Sequence, residues 1–148
     1  MISVQEHDFD VADEYQQLRR PNITGAIVTF VGCVRDFGAQ ANSEQPNVME
    51  IQDYPGMTES VLEKVEAQAH ARWPIIASKI IHRVGKLKID EQIVFVGVST
   101  AHRKHAFLAC EYIIDILKTE APFWKKEGEH WVDAKDSDTN AADKWLTK

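Results

Sequence analysis

The clearest pattern along the chain is a run of apolar residues at helical spacing, at positions 106, 107, 110, 113, 114 and 117. This spacing predicts an amphipathic helix, for which Ser99 or Thr100 is placed to cap the first turn. Pro122 prevents the helix from continuing. Residues 92–99 are almost continuously apolar, which is typical of a strand buried on both faces. A buried strand leading into a long helix is therefore predicted here.

Weaker patterns predict further elements on both sides of this unit. Apolar spacing predicts a short helix that ends before Pro21 and a second helix that is capped by Thr58 and ended by Pro74. Gly85 is predicted to open a short connection to the buried strand. Strands are expected at 24–31, 48–53, 79–84 and 131–134, and a terminal helical turn or two at 138–145. Together these elements predict one α+β domain spanning residues 1–148.

Length and composition indicate an ordinary globular protein. The chain has 148 residues, of which 44% are hydrophobic and 27% charged, so it can bury a core without disulfides or metal. Its apolar runs are shorter than the ~20 residues that span a bilayer, and no signal-peptide pattern begins the chain. Two cysteines, Cys33 and Cys110, fit a reducing compartment. We therefore expect a cytoplasmic protein that does not bind membranes.

Charge adds a constraint on the ligand. A formal net charge of −6 disfavours nucleic acid as a partner. Residues 101–126 nevertheless carry five Lys or Arg against three acids. Such a local basic cluster suggests a pocket for a specific anion. A solvated basic helix face is the alternative.

Several polar residues fall where predicted elements end. Amide groups at the start of the main helix favour an anion, and His102 and Arg103 would add charged hydrogen bonds. Arg35 follows the first strand, and Lys118 lies near the end of the helix. Lys118 has a second interpretation, because a cation near a helix C-terminus adds about 0.3–1 kcal/mol of stability without any function.

The segment 121–126 (APFWKK) offers chemistry of its own. Phe123 and Trp124 could wall a pocket in which a lysine acts as acid, base or nucleophile. In the alternative, the aromatic residues anchor the core and the lysines extend to water. Cys110 is expected to be inert core. Cys33, beside Arg35, is either a small space-filling residue or a nucleophile that carries sulfur.

Other chemistries find little support in the sequence. The six histidines show no metal-ligand spacing, and no phosphate-binding glycine loop or GxSxG motif occurs. We therefore expect neither a metal nor a cofactor.

The order of motifs along the chain resembles one known family. The motifs are 29–35 (TFVGCVR), 54–57 (YPGM), 82–85 (HRVG), 96–103 (VGVSTAHR), 115–118 (DILK), 121–127 (APFWKKE) and 131–134 (WVDA), and in combination they are highly specific. They are similar to those of the large, catalytic subunit of molybdopterin synthase, and the resemblance covers nearly the whole chain.

The resemblance implies a fold, a reaction and partners. The fold would be an α/β hammerhead with an additional antiparallel sheet. The enzyme would be a sulfurtransferase that converts cyclic pyranopterin monophosphate into the molybdopterin dithiolene during molybdenum cofactor biosynthesis. Sulfur would arrive as a thiocarboxylate on the C-terminal Gly-Gly tail of a small ubiquitin-fold subunit. The large subunit would form a homodimer within a heterotetramer.

The resemblance also implies roles for individual residues. Lys118 would be the principal catalytic lysine and Lys125 the second, and both would also contact substrate. The remaining substrate-binding residues would be Cys33, Val34, Arg35, His102, Arg103, Lys126 and Glu127. Cys33, Glu120 and Lys135 depart from the family pattern, and residues 52–53 (QD) depart from it slightly.

Three other interpretations are open at this point. The chain could be a non-catalytic scaffold for a ubiquitin-like partner, although both lysines are present. It could bind RNA on Phe123, Trp124 and the lysines, against which the net charge counts. Cys33 could itself carry the sulfur as a persulfide.

Overall fold

A computed structural model describes residues 1–36, 48–127, 130–132 and 136–146. Within these ranges the strands and helices follow one another in the order β1 (Ile2–Gln5), α1 (Val11–Leu18), β2 (Ala26–Cys33), β3 (Val48–Asp53), α2 (Met57–Arg72), β4 (Ile75–Arg83), β5 (Gly85–Lys88), β6 (Gln92–Thr100), α3 (Arg103–Glu120), β7 (Phe123–Glu127), β8 (His130–Val132) and α4 (Asp136–Asp143).

The larger core forms around the first of two sheets, whose strand order is β1-β4-β6-β2. β1 pairs with β4 in parallel, and β6 pairs with β4 and β2 in antiparallel fashion. Val94, Val96 and Val98 pack with α2 and α3 in the main core. Phe95, which points to the opposite face, packs with Leu18 of α1. β6 is therefore covered on both faces, as its continuous apolar sequence predicted.

The second sheet has the order β5-β3-β7-β8, and its pairings are all antiparallel. Ile51 of β3 lies opposite Lys125 of β7, which ties segment 123–127 to the strand before α2. Two sheets with packed helices confirm the predicted α+β fold with its additional antiparallel sheet.

The structure corrects several element boundaries. The strands predicted at 24–31 and 79–84 are Ala26–Cys33 and Ile75–Arg83. The strands β1, β5 and β7 were not predicted, because short segments such as Gly85–Lys88 become strands only by pairing with a distant neighbour. Residues 37–47 lie outside the described residues, as do Asp133, Ala134 and Lys135, of which the first two belong to the strand predicted at 131–134.

Both predicted helix caps are wrong. α2 begins at Met57 after Gly56, whose φ of 85° suits glycine, and Glu59 accepts the Gly56 N–H at 2.5 Å. Thr58 is fully buried, and its hydroxyl accepts the N–H of Tyr54. The residue before α3 is His102, because pairing with β2 and β4 holds Ser99 and Thr100 in β6.

The C-terminal segment folds back onto α3. Trp145, just after α4, is buried and its indole N–H donates to Asp115 at 2.7 Å. Its ring makes edge-on contacts with Trp73 and Tyr112. The same segment brings Asp138 of α4 to the C-terminal end of α3, where Lys118 lies. Trp145 therefore anchors a segment that reaches the neighbourhood of a predicted catalytic lysine.

Candidate active site

A cavity of about 650 Å³ opens where the end of α3 meets both sheets. Its apolar wall is formed by residues of six elements, including Phe30 of β2, Ile114 and Leu117 of α3, and Phe123 of β7. Polar groups enter from β4, from α4, and from the residues after β2. This volume is in the range of pockets that hold a small organic ligand.

Five of the predicted site residues line this cavity, namely Cys33, Arg35, Lys118, Lys125 and Glu127. The alternation of side chains along β7 explains part of the set. Phe123, Lys125 and Glu127 face the cavity, whereas Trp124 is 48% exposed on the other face. Lys126 also lies on that other face, with its ammonium 5.8 Å from the centre of the Trp131 ring.

The structure separates the remaining predicted residues from the cavity. The side chain of Val34 is buried in the core, and its backbone groups bond to Asp90 and Glu91. His102 and Arg103 are exposed at the start of α3. Since a helix rises 1.5 Å per residue, Arg103 lies about 22 Å along α3 from Lys118. The predicted anion site and the lysines are thus at opposite ends of one helix.

Charges of both signs surround the cavity. Arg35, Lys118 and Lys125 are its basic lining residues among those the structure describes; Asp36, Glu127 and Asp138 are the acidic ones. Lys118 forms an ion pair with Asp138 at 3.4 Å, with the two side chains 42% and 23% exposed. Because such a partly exposed pair contributes only about 0–1 kcal/mol, an incoming anion can replace Asp138 at low cost.

His82 and Asp138 are lining residues that the sequence analysis did not select. His82 belongs to β4, is only 4% exposed, and stacks on Phe123 with 3.7 Å between ring centres. Burial lowers the pKa of His82 to about 4. The HRVG motif contained His82, but a strand histidine gives no sign of the cavity it faces. Asp138 reaches the site only through the fold of α4.

The low pKa of His82 predicts a pH dependence of stability. At pH 7 the imidazole is neutral in both states, and between pH 6.5 and about 4 only the unfolded chain takes up the proton. The free energy of unfolding should therefore fall by about 3 kcal/mol across this window because of His82 alone. Urea unfolding at pH 7 and pH 4.5 measures the fall, which should be smaller in His82→Gln. An equal fall in both proteins would refute the assignment.

The two cysteines should differ in reactivity. Cys33 is exposed at the cavity, whereas Cys110 is buried and burial raises the pKa of its thiol to about 12. We expect a thiol reagent to label Cys33 in the folded protein and Cys110 only after denaturation, as counted by mass spectrometry. Labelling of Cys110 under native conditions would contradict the buried position.

The Cys33→Ser variant tests whether Cys33 carries sulfur, and we expect it to keep the activity of the unmodified protein. A complete loss of activity in this variant would favour Cys33 as the sulfur carrier.

The described residues offer neither a metal site nor a membrane-spanning helix. No group of three or more His, Cys, Asp or Glu that could hold a metal ion occurs among the residues with a described structure. Likewise, none of the helices in the described ranges is long and apolar enough to cross a membrane.

Comparison with known proteins decides the family. The family model for the MoaE protein matches residues 4–120. The chain belongs to the MoaE family. A MoaE-family relative from Vibrio cholerae serotype O1, the molybdopterin synthase catalytic subunit, is 48% identical over 148 residues, which covers 97% of each chain. The MoaE chain is therefore an enzyme of molybdenum cofactor biosynthesis, which confirms the function and the transferase class inferred from the resemblance.

Solved structures agree with this assignment. The molybdopterin cofactor biosynthesis protein E from Burkholderia multivorans aligns with a TM-score of 0.82 at 47% identity, over 98% of this chain and 95% of that one. A complex of subunits 1 and 2 of molybdopterin-converting factor from Helicobacter pylori aligns with a TM-score of 0.71. This second match is 22% identical and covers 91% of this chain and 90% of that one, and it shows that the two chains share a fold.

Proposed function

We propose that the cavity at the end of α3 is where sulfur is transferred to cyclic pyranopterin monophosphate. The donor would be the C-terminal thiocarboxylate of a small ubiquitin-fold subunit. The observation that carries this proposal is the convergence of Lys118, Lys125 and Arg35 on one cavity in a MoaE-family chain. A subunit complex among structures of the same fold supports a small-subunit partner.

The three basic side chains suit the charges of this reaction. Lys118 stabilises the thiocarboxylate and the oxyanion that forms when its acyl group is attacked. Lys125 and Arg35 hold the anionic substrate. The thiocarboxylate sulfur bonds to a side-chain carbon of the pyranopterin while a carbon–oxygen bond at that carbon breaks and its oxygen leaves. Water then adds to the acyl carbon and the bond between sulfur and the acyl group breaks, so the sulfur stays on the pyranopterin as a thiolate. The tail leaves as a carboxylate, and a second thiocarboxylate repeats the sequence.

Asp138 has a defined part in this proposal. Its carboxylate lies 3.4 Å from the Lys118 ammonium. The thiocarboxylate then replaces Asp138 as the partner of Lys118, so the lysine is oriented before the tail arrives. Because the pair is partly exposed, it orients the Lys118 side chain without locking it in a strong buried pair.

His102 and Arg103 fit the site only if a second copy supplies them. A distance of about 22 Å along α3 is too long for one pyranopterin to bridge from Lys118. The start of α3 carries free amides and no acidic residue in its first turn, so it remains suited to an anion. In a homodimer, the start of α3 from one copy would complete the cavity of the other.

Reconstitution tests the proposed reaction. Purified protein, thiocarboxylated small subunit and cyclic pyranopterin monophosphate should yield the dithiolene, detected as its stable oxidised derivative. The matched control is the same small subunit with an ordinary C-terminal carboxylate, which should yield none. Binding of the small subunit without any product would contradict the proposal and favour a scaffold role.

A further inference from the structure

The His82 ring is fixed in a single orientation beside the cavity. Its Nδ1 lies 2.8 Å from the carbonyl oxygen of Arg83. Its ring stacks on Phe123 with an angle of 16° between the two planes. Position 82 lies in β4, opposite Val4 of β1 and Val94 of β6. With neighbours on these sides, the ring has little freedom to turn.

This orientation determines where the proton sits. A carbonyl oxygen can only accept a hydrogen bond, so Nδ1 of His82 must carry the hydrogen. Since the pKa of His82 is about 4, the ring is neutral at pH 7 and Nε2 has no proton. Nε2 therefore presents a lone pair that can accept a hydrogen bond.

Within the described part of the chain, Nε2 of His82 has no hydrogen-bond partner. The residue as a whole is only 4% exposed, but its Nε2 atom keeps some solvent-accessible surface. Because His82 lines the cavity, the opening left to Nε2 is the cavity itself. A fixed and nearly buried acceptor of this kind calls for a donor, since buried polar groups are normally paired.

The surroundings select the type of donor. Phe123, Ile114 and Leu117 give this part of the cavity flat and apolar walls, which suit a planar ring. A phosphate or carboxylate offers only acceptor atoms at neutral pH and would repel the Nε2 lone pair. Lys125 lines the same cavity, and its positive charge further disfavours a protonated His82 ring.

We propose that Nε2 of His82 accepts a hydrogen bond from a ring N–H of the pterin and so selects and orients that ring in the cavity. This inference rests on the proposed function and adds a binding residue to it. The arrangement assigns the His82 end of the cavity to the heterocycle and leaves the Arg35 and Lys118 side to the anionic groups. A ligand without the N–H would leave Nε2 unpaired and be rejected.

Two amide variants test the roles of the two His82 ring nitrogens separately. In His82→Asn the amide nitrogen can replace Nδ1 as donor to Arg83, but nothing replaces Nε2. In His82→Gln the longer side chain can place its oxygen near the position of Nε2. We expect His82→Asn to raise the KM for cyclic pyranopterin monophosphate about tenfold with kcat changed less than about threefold, and His82→Gln to recover most of the loss.

A spectroscopic measurement on the unmodified protein accompanies the variants. In protein labelled with ¹⁵N-histidine, cyclic pyranopterin monophosphate should shift the Nε2 resonance of His82 and leave that of Nδ1 nearly unchanged. A purely structural role for His82 would move the melting temperature of the variants but not this resonance. The wild-type measurement also keeps the test valid if a variant fails to fold.

The outcomes distinguish this inference from the proposed function. Normal turnover with an unshifted Nε2 resonance, or with an unchanged KM in folded His82→Asn, would overturn the His82 contact only. A shifted resonance without dithiolene formation would support the contact and contradict the proposed sulfur transfer.

Discussion

Lys118→Ala is expected to lower the rate of dithiolene formation on the order of 10³-fold, since loss of one group that stabilises an oxyanion costs about 10²–10³-fold. The Lys118 side chain is 42% exposed and its ion pair with Asp138 is also partly exposed. Removing this side chain should therefore leave the fold intact. Single-turnover assays with thiocarboxylated small subunit measure the rate, and the melting temperature reports the fold.

Lys64→Ala is the matched control for this variant. Lys64 belongs to another helix, α2, is exposed to solvent and does not line the cavity. Its rate should stay within about twofold of the wild type, as expected for a surface substitution away from the site. If Lys118→Ala formed product as fast as Lys64→Ala, catalysis would have to rest on Lys125 or on the tail of the partner.

Phe95→Ala should give the largest loss of stability, about 3–5 kcal/mol in the free energy of unfolding. Phe95 is fully buried between sheet and α1, and its ring contacts that of Phe9 edge-on with 5.9 Å between centres. Gly97, two residues along the same strand, provides the space for the ring, since an added Cβ would lie 2.9 Å from Phe95. Denaturant unfolding at pH 7 measures the loss.

Phe107→Ala is the control for the core substitution. Phe107 is 61% exposed on α3, so removing its ring should change the free energy of unfolding by less than about 1 kcal/mol. A loss at Phe107 as large as that at Phe95 would contradict the burial on which the prediction rests. A small loss at both positions would show that α1 does not seal this face of the sheet.

The elements that the sequence predicted well are those with a strong local pattern. β6 is continuously apolar and α3 repeats apolar residues every three or four positions, so each could be recognised without its neighbours. The strand β7 was missed because Pro122 and two aromatic residues suggested a pocket wall rather than alternation. Alternation along a strand there would have placed Phe123 and Lys125 on one face. Trp124 and Lys126 would then have lain on the other face.

Only part of the candidate site could be predicted from the sequence, because some of its residues are brought together by tertiary contacts that no local pattern records. Arg35, Lys118 and Lys125 follow from element ends and from the resemblance, and the fold brings all three to one cavity. His82 and Asp138 enter it through tertiary contacts, namely sheet register and the return of α4. The existence of α3 and its end before Pro122 were predicted correctly. The consequence of its length for His102 and Arg103 appears only once the cavity is located at the other end of the helix.

A complementation experiment tests most directly whether two copies share the proposed site. Lys118→Ala chains and His102→Ala/Arg103→Ala chains, each with its own affinity tag, are assembled together and the mixed dimer is purified. If each site takes Lys118 from one copy and Arg103 from the other, one of the two sites in the mixed dimer carries no substitution, and about half of the wild-type dithiolene formation returns. A mixed dimer as inactive as its two parents would contradict a shared site.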